Sequence, residues 1–194
     1  MFDPIGWLEP IKLQLKLHLA KLNGKAWKEA LPPDEQEFWH SKLVDLVDLP
    51  SIKVPRCVLP RGCDNQELRL VCFADAAHDA GGAAIYAGVQ VAPGVYSSTL
   101  LTAKSRLMKV SVPRNELSAI MLMCELAFIA KQALGDRVKE VIYISDSMIA
   151  LSWCSGLEKK LRLFVQNRVA TILRIVSWTL NLVDGESLPM YHID

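Results

Sequence analysis

The chain has 194 residues, of which 51% are hydrophobic and 22% charged, and its formal net charge is +1. This size and composition predict one globular domain with a large core and room for a helical extension. No apolar run reaches the roughly 18 residues that a membrane span needs, and the first residues do not resemble a secretory signal. We therefore expect an intracellular protein with no membrane partner. The near-neutral charge says little about partners, but a chain that binds nucleic acid tightly by itself is usually more basic. We therefore expect any nucleic-acid binding to be local, metal-assisted or helped by other parts of a larger protein.

The sequence pattern over residues 1–60 predicts helices that are separated by prolines. Apolar residues alternate with polar ones over residues 11–17, which is also a strand pattern, but the Leu, Lys and Ala content of the longer segment favours a helix. After a pair of prolines, Asp34 is expected to cap a second helix that runs through Leu43. An extended connector over residues 52–60 then leads into the rest of the chain.

From about residue 67 the pattern is typical of short strands. Three apolar or alternating runs with short links predict an antiparallel meander over residues 68–74, 82–89 and 95–101. A long amphipathic helix follows, with Pro113 in its first turn and Gly135 at its end. A fourth strand, two helices and a fifth strand complete the order. This order predicts an α/β fold with a mixed five-stranded sheet flanked by helices.

Three carboxylates stand at positions where such a fold binds ligands. Asp75 and Asp146 each end an apolar strand, and Glu116 lies in the first turn of the long helix. The carboxyl ends of strands form the usual ligand edge of open α/β sheets. Carboxylates that converge there repel one another unless a cation lies between them, and their oxygens suit Mg²⁺ or Mn²⁺. Each acid taken alone is also typical of a helix or strand cap.

Such a site predicts phosphodiester hydrolysis with two metal ions, in which Asp75 bridges both ions. Lys104, Arg106 and Arg114 could contact phosphates or ribose hydroxyls, and Asn115 could contact a minor-groove base edge. A solvated basic rim and helix capping are the structural alternatives for these four residues. Ser147 could adjust the metal site or cap the helix after Asp146, and the sequence favours capping.

The chain resembles the ribonuclease H domain of Bel/Pao-type retrotransposon polyproteins. The resemblance rests on FADA (73–76), LTAKSR (101–106), VPRNEL (112–117), ISDS (144–147), LSW (151–153) and FVQNRV (164–169). FDPIGWL (2–8) and IKVPR (52–56) are similar to the start and end of the segment that follows the reverse transcriptase in this family. The resemblance implies a helical connection segment over residues 1–66 and a ribonuclease H-like domain over residues 67–194.

The resemblance also implies the activity of the family. A retrotransposon ribonuclease H cuts the RNA strand of RNA–DNA hybrids during reverse transcription, with two Mg²⁺ or Mn²⁺ ions. Asp75, Glu116 and Asp146 match its catalytic, metal-binding acids, and the implied partners are the hybrid and the reverse transcriptase of the polyprotein. The implied location is a cytoplasmic particle or the nucleus.

One departure from the family bears on activity. The family has a fourth carboxylate just beyond the last strand, whereas this sequence ends at Asp194 before that motif. We therefore expect weak binding of the second metal ion and slow or absent cleavage. The alternatives are a catalytically inactive tether or nucleic-acid-binding module of the same fold, and an unrelated α/β binding domain. An integrase-type core is disfavoured because Glu116 precedes the strand that carries Asp146.

Overall fold

The computed structural model describes residues 3–26, 28–51, 53–54, 57–63, 65–156, 160–180 and 190–192. Parts of the FDPIGWL and IKVPR segments and the last two residues lie outside this part of the chain. The helices are α1 (Glu9–Lys21), α2 (Pro33–Asp45), α3 (Val112–Leu134), α4 (Met148–Cys154) and α5 (Leu163–Leu180). Short 3-10 helices cover Leu46–Ser51 and Gly135–Arg137. The strands are β1 (Leu68–Ala76), β2 (Ala80–Ala92), β3 (Val95–Leu107), β4 (Val138–Ser145) and β5 (Met190–His192). This order confirms the prediction.

The five strands form one mixed sheet in the order β3-β2-β1-β4-β5. The first three strands pair antiparallel, as the predicted meander requires, while β4 runs parallel to β1 and β5 parallel to β4. The register places Ala74 of β1 opposite Ser145 of β4. The next residues, Asp75 and Asp146, are therefore neighbours at this end of the sheet: Asp75 still pairs with Gly82 of β2, while Asp146 directly follows β4.

The core lies between the sheet and α3, which packs mainly on β1 and β2 and carries α5 on its outer side. The α3 side chains of Leu117, Ile120 and Cys124 recur at helical spacing and are fully buried. They meet Leu70 and Cys72, which alternate on the inner face of β1. Burying each large aliphatic side chain contributes roughly 1.5–3 kcal/mol, so this layer accounts for much of the stability of the fold.

Length and composition alone would allow one helical stretch in the described chain, Val112–Arg137, to cross a membrane. In this fold it is the central core helix. It begins with Pro113 in its first turn, as predicted, and Gly135 follows its last residue with a φ of +61°. Glycine adopts this left-handed conformation without steric cost, so the helix ends there.

The amino-terminal segment docks on β3, the edge strand of the sheet. The Ala103 amide donates a hydrogen bond of 2.7 Å to the Ile5 carbonyl. The Glu9 carboxylate, only 8% exposed, accepts hydrogen bonds from the Ser105 amide at 2.7 Å and from the Ser105 hydroxyl. The Lys16 ammonium donates hydrogen bonds to both the Glu9 carboxylate and the Ser105 carbonyl. An open sheet edge can pair with other chains, and this segment covers part of it.

Two details differ from the sequence prediction. Asp34 does not cap α2: Pro32 occupies the cap position without a side-chain bond, and Asp34 lies inside the first turn. Pro33 starts the helix because its fixed φ suits the first helical position. Strands β2 and β3 span 13 residues each, well beyond the predicted runs. Glycine, alanine and charged residues in these extensions have weak strand preference, and pairing with neighbouring strands determines their conformation.

Candidate metal and nucleic-acid site

Asp75 and Asp146 line one groove at the carboxyl ends of the two central parallel strands. Asp75 is the penultimate residue of β1, and Asp146 directly follows β4. Both residues are exposed, and the groove between the sheet and the amino-terminal segment has a volume of about 710 Å³. The structure therefore places these two acids in one groove at the carboxyl ends of neighbouring strands.

Glu116 is joined to the same region through Ser147. It lies in the first turns of α3, is partly buried, and accepts a hydrogen bond at Oε2 from the Ser147 hydroxyl. The Ser147 oxygen in turn accepts a hydrogen bond from the Ala150 amide at 3.2 Å and so caps α4. The sequence presented capping and a role beside the acids as alternatives for Ser147, whereas this one hydroxyl makes both contacts.

The donor chemistry of the three acids suits a hard divalent cation, because each offers carboxylate oxygens. The arrangement is not a closed cage: within the described ranges, no three His, Cys, Asp or Glu side chains stand close enough to hold one ion. Glu116 has a second carboxylate oxygen, so it can keep Ser147 on Oε2 and offer Oε1. A side-chain adjustment that brings Glu116 towards Asp75 and Asp146 is required for all three to share a metal.

Aromatic and basic side chains form the walls of the groove. The Phe73 and Tyr86 rings meet edge to face with their centroids 5.9 Å apart. Trp7, which is 42% exposed, lines the opposite wall from the amino-terminal segment. Lys104 is exposed and lines the same groove as Asp75. The groove thus places a cation and aromatic surface beside two carboxylates, which suits a ligand with a phosphate and a base.

The other two predicted basic residues have partners on the helical side of the fold. The Arg106 guanidinium forms an ion pair with Glu125 of α3 at 3.2 Å. The Arg114 guanidinium lies over the Phe164 ring of α5 at 5.4 Å from its centroid. Neither residue lines the groove of Asp75 and Asp146, so the predicted basic residues do not form one cluster around the acids.

Asn115 is placed differently from the prediction that it contacts nucleic acid. Its side chain is fully buried, and Nδ2 donates hydrogen bonds to the Ala77 and His78 carbonyls at 3.0 and 2.7 Å. It does not cap α3, whose cap position is Ser111. Both amide protons hold the turn between β1 and β2, so this side chain is not available to a base edge, and the prediction is corrected on this point.

Sequence reasoning missed the buried acid Glu9. Burial by itself raises the pKa of this carboxyl, but hydrogen bonds from Lys12 and Ser105 and the charge of Lys16 outweigh burial and lower it to about 2. The spacing between Glu9 and Lys12 indicates only an ion pair within one helix. Ser105 of β3, which donates hydrogen bonds to Glu9, lies 96 residues away and gives no signal in the sequence around Glu9.

Comparison with known proteins adds the family context. The family described as "Pao retrotransposon-like RNaseH-like domain" matches residues 1–147. No curated protein matches the chain by sequence. The matched range includes both the amino-terminal segment and the sheet strands that carry Asp75 and Asp146.

Several solved structures are similar to parts of this chain at low identity and low TM-score. Ribonuclease H1 of Halobacterium salinarum is 12% identical with a TM-score of 0.39, over 66% of this chain and 85% of that one. LC11 ribonuclease H1, isolated from compost and solved with an RNA/DNA hybrid, is 18% identical with a TM-score of 0.41, over 66% and 85%. The foamy viral protease–reverse transcriptase with an RNA/DNA hybrid is 14% identical with a TM-score of 0.40, over 92% of this chain and 25% of that one.

Proposed function

Because this chain belongs to the Pao retrotransposon-like RNaseH-like domain family, we propose that it hydrolyses the RNA strand of RNA–DNA hybrids during reverse transcription. The observation that carries this proposal is the placement of Asp75 and Asp146 at neighbouring strand ends within one groove. Glu116 supports it, because Ser147 joins this third acid to the residue that follows Asp146.

In the proposed mechanism, Asp75, Glu116 and Asp146 would hold one or two Mg²⁺ or Mn²⁺ ions through carboxylate oxygens. Such ions would supply activation of the attacking water and stabilisation of charge on the leaving 3′-oxygen. Ser147 restrains the Glu116 carboxylate and so reduces the side-chain freedom lost when the site assembles. Lys104, exposed in the same groove, binds a phosphate oxygen of the substrate strand.

The proposed partners are an RNA–DNA hybrid and the reverse transcriptase of the same polyprotein, in a cytoplasmic particle or the nucleus. We assign residues 1–66 to the connection segment and residues 67–194 to the ribonuclease H-like domain. The contacts of Glu9 and Ile5 with β3 support a fixed attachment between the two parts. In such an attachment the connection segment also forms one wall of the groove.

A second candidate is an inactive ribonuclease H-fold module that binds nucleic acid without cutting it. It is favoured by the spacing of the acids, because the described residues contain no ready cluster of three metal ligands. Both candidates require hybrid binding, whereas only the nuclease requires metal-dependent cleavage.

The test is cleavage of an end-labelled RNA–DNA hybrid by the full chain with Mg²⁺ or Mn²⁺. Asp75→Asn removes a metal ligand with little change in shape. Asp79→Asn is the matched control, because this acid is exposed on the neighbouring turn and, among the described residues, its side chain pairs with the adjacent His78. Thermal unfolding of each protein shows that the variants remain folded.

Cleavage that Asp75→Asn abolishes and Asp79→Asn preserves supports the nuclease. Hybrid binding without cleavage, together with no measurable Mn²⁺ binding by calorimetry, supports the inactive module. A folded chain that neither binds nor cuts the hybrid overturns both candidates.

A further inference from the structure

Two arginines from different helices share one aromatic ring on the outer side of α3. The Arg168 guanidinium carbon lies 3.5 Å from the centroid of the Phe164 ring, and the Arg114 guanidinium carbon lies 5.4 Å from it. Phe164 and Arg168 are one turn apart on α5, while Arg114 belongs to the first turn of α3. All three side chains are only partly exposed.

A hydrogen bond orients Arg168 within this arrangement. Its Nε donates to the Ser118 hydroxyl at 3.0 Å, and that hydroxyl donates to the Arg114 carbonyl at 2.8 Å. The bond uses only Nε of the guanidinium. The two terminal nitrogens, which form the planar donor edge of an arginine, make no hydrogen bond within the described ranges.

Neither arginine is neutralised by a carboxylate within the part of the chain that the structure describes. The ion pairs found there engage Arg69 with Glu140 and Arg106 with Glu125, but not Arg114 or Arg168. Partial burial lowers the pKa of Arg168. Two cations near one ring repel each other, and stacking on phenylalanine offsets this by only about 0.5–2 kcal/mol for each cation. An anion bound between them would remove the repulsion.

The arginine pair and Glu116, a predicted metal ligand, lie on opposite sides of the first turns of α3. Arg114 and Ser118 are four residues apart and share the side that faces α5, whereas Glu116, two residues from each, points the other way and contacts Ser147. The Cα atoms of Arg114 and Glu116 are still only about 5.4 Å apart in an ideal helix. A nucleic-acid strand that meets Glu116 and crosses the beginning of α3 would carry a further phosphate past the arginine pair.

We propose that Arg114 and Arg168, held by Phe164 and Ser118, form a phosphodiester-binding site for the RNA–DNA hybrid on the side of α3 that faces α5. This inference rests on the proposed function and adds a second anchoring point to it. Arginine binds phosphate oxygens through two parallel hydrogen bonds, which a lysine cannot reproduce. The site binds the backbone and therefore contributes affinity without base preference.

The test measures binding of a fluorescent RNA–DNA hybrid by anisotropy, in EDTA so that no cleavage occurs, over a series of KCl concentrations. We expect Arg168→Gln to weaken binding about 10-fold at low salt, the loss of one charge-assisted hydrogen-bonded contact. We also expect it to lower the slope of log Kd against log salt by about one. Arg168→Lys should retain the slope but recover only part of the affinity. Arg114→Gln, on the other helix, tests the same site if Arg168→Gln fails to fold.

Arg174→Gln is the matched control. Arg174 lies on the same helix and stacks on Trp178 at 5.2 Å, but no second arginine stacks on that ring within the described ranges. An equal loss in Arg174→Gln overturns the inference, because the effect would then reflect net charge alone. Normal hybrid binding with an unchanged salt slope in the Arg168 and Arg114 variants overturns the inference and leaves the proposed function standing. A wild-type chain that binds no hybrid overturns both.

Discussion

The Ser147 hydroxyl donates a hydrogen bond to the Glu116 carboxylate and at the same time accepts one from the Ala150 amide. One oxygen therefore connects α3, which carries Glu116, to the beginning of α4. Since Ser147 directly follows Asp146, this bond determines how closely the acid on the helix approaches the acid at the strand end.

Ser147→Ala should weaken metal binding and stability together. Loss of the cap costs roughly 1 kcal/mol of unfolding free energy. Loss of the bond to Glu116 should weaken Mn²⁺ binding about 10-fold or more, because hydrogen bonds to metal ligands hold them in position. Denaturant unfolding and titration calorimetry measure the two effects. Ser147→Thr, which keeps the hydroxyl, is the control, and unchanged Mn²⁺ affinity in Ser147→Ala would contradict the role given to this bond.

Gly6→Ala should release the amino-terminal segment from β3. Gly6 has a φ of +87°, and an added Cβ would lie 2.0 Å from the Ala103 carbonyl oxygen. Gly24→Ala is a matched control, since Gly24 has a similar φ of +97° but nothing within 4 Å of an added Cβ. Both variants carry backbone strain of about 1–3 kcal/mol, so only Gly6→Ala should speed hydrogen exchange at the Ala103 amide. Equal exchange in the two variants would show that the contact does not hold the segment.

Glu9 should make stability depend on pH in the acid range. Its folded pKa of about 2 lies below the ordinary value of 4.5, so its contribution is fully present above pH 4.5. That contribution is lost as pH falls from 4.5 towards 2, and it amounts to no more than about 3 kcal/mol.

The measurement for Glu9 is urea unfolding between pH 6 and pH 2. The stability difference between wild type and Glu9→Gln should shrink towards acid pH. Glu29→Gln is the control, because the exposed Lys25–Glu29 pair should contribute little at any pH. A difference between wild type and Glu9→Gln that stays constant over this range would show that folding does not shift the pKa of this carboxyl.

Asn115→Ala should reduce stability and leave hybrid binding unchanged. The variant removes the donors to the Ala77 and His78 carbonyls and should cost about 1–3 kcal/mol. Asn167→Ala, at an exposed position of α5, should stay within about 0.5 kcal/mol. Denaturant unfolding measures the loss of stability. Anisotropy, at a temperature where both variants are folded, measures hybrid affinity separately. A weaker hybrid affinity with normal stability would restore the original interpretation of Asn115 as a base contact.

Much of the fold could be predicted from local pattern. The period-two runs in β1 and the helical spacing of Leu117, Ile120 and Cys124 arise from the side chains that each element buries. The ends of α3 followed from Pro113 and Gly135, whose backbone preferences act within one turn. The extensions of β2 and β3 could not be predicted, because their conformation comes from neighbouring strands.

The sequence alone placed Asp75 and Asp146 at the carboxyl ends of two strands and Glu116 in the first turns of a helix, since each position depends on nearby residues. Only the tertiary structure decided which side chains meet. Ser147 joins Glu116 across 31 residues, Asn115 turns inward to a turn 37 residues away, and Arg168 reaches Ser118 across 50 residues. Such contacts depend on how helices and strands pack in space. Two residues far apart in the chain produce no periodic pattern in the sequence that would identify them as partners.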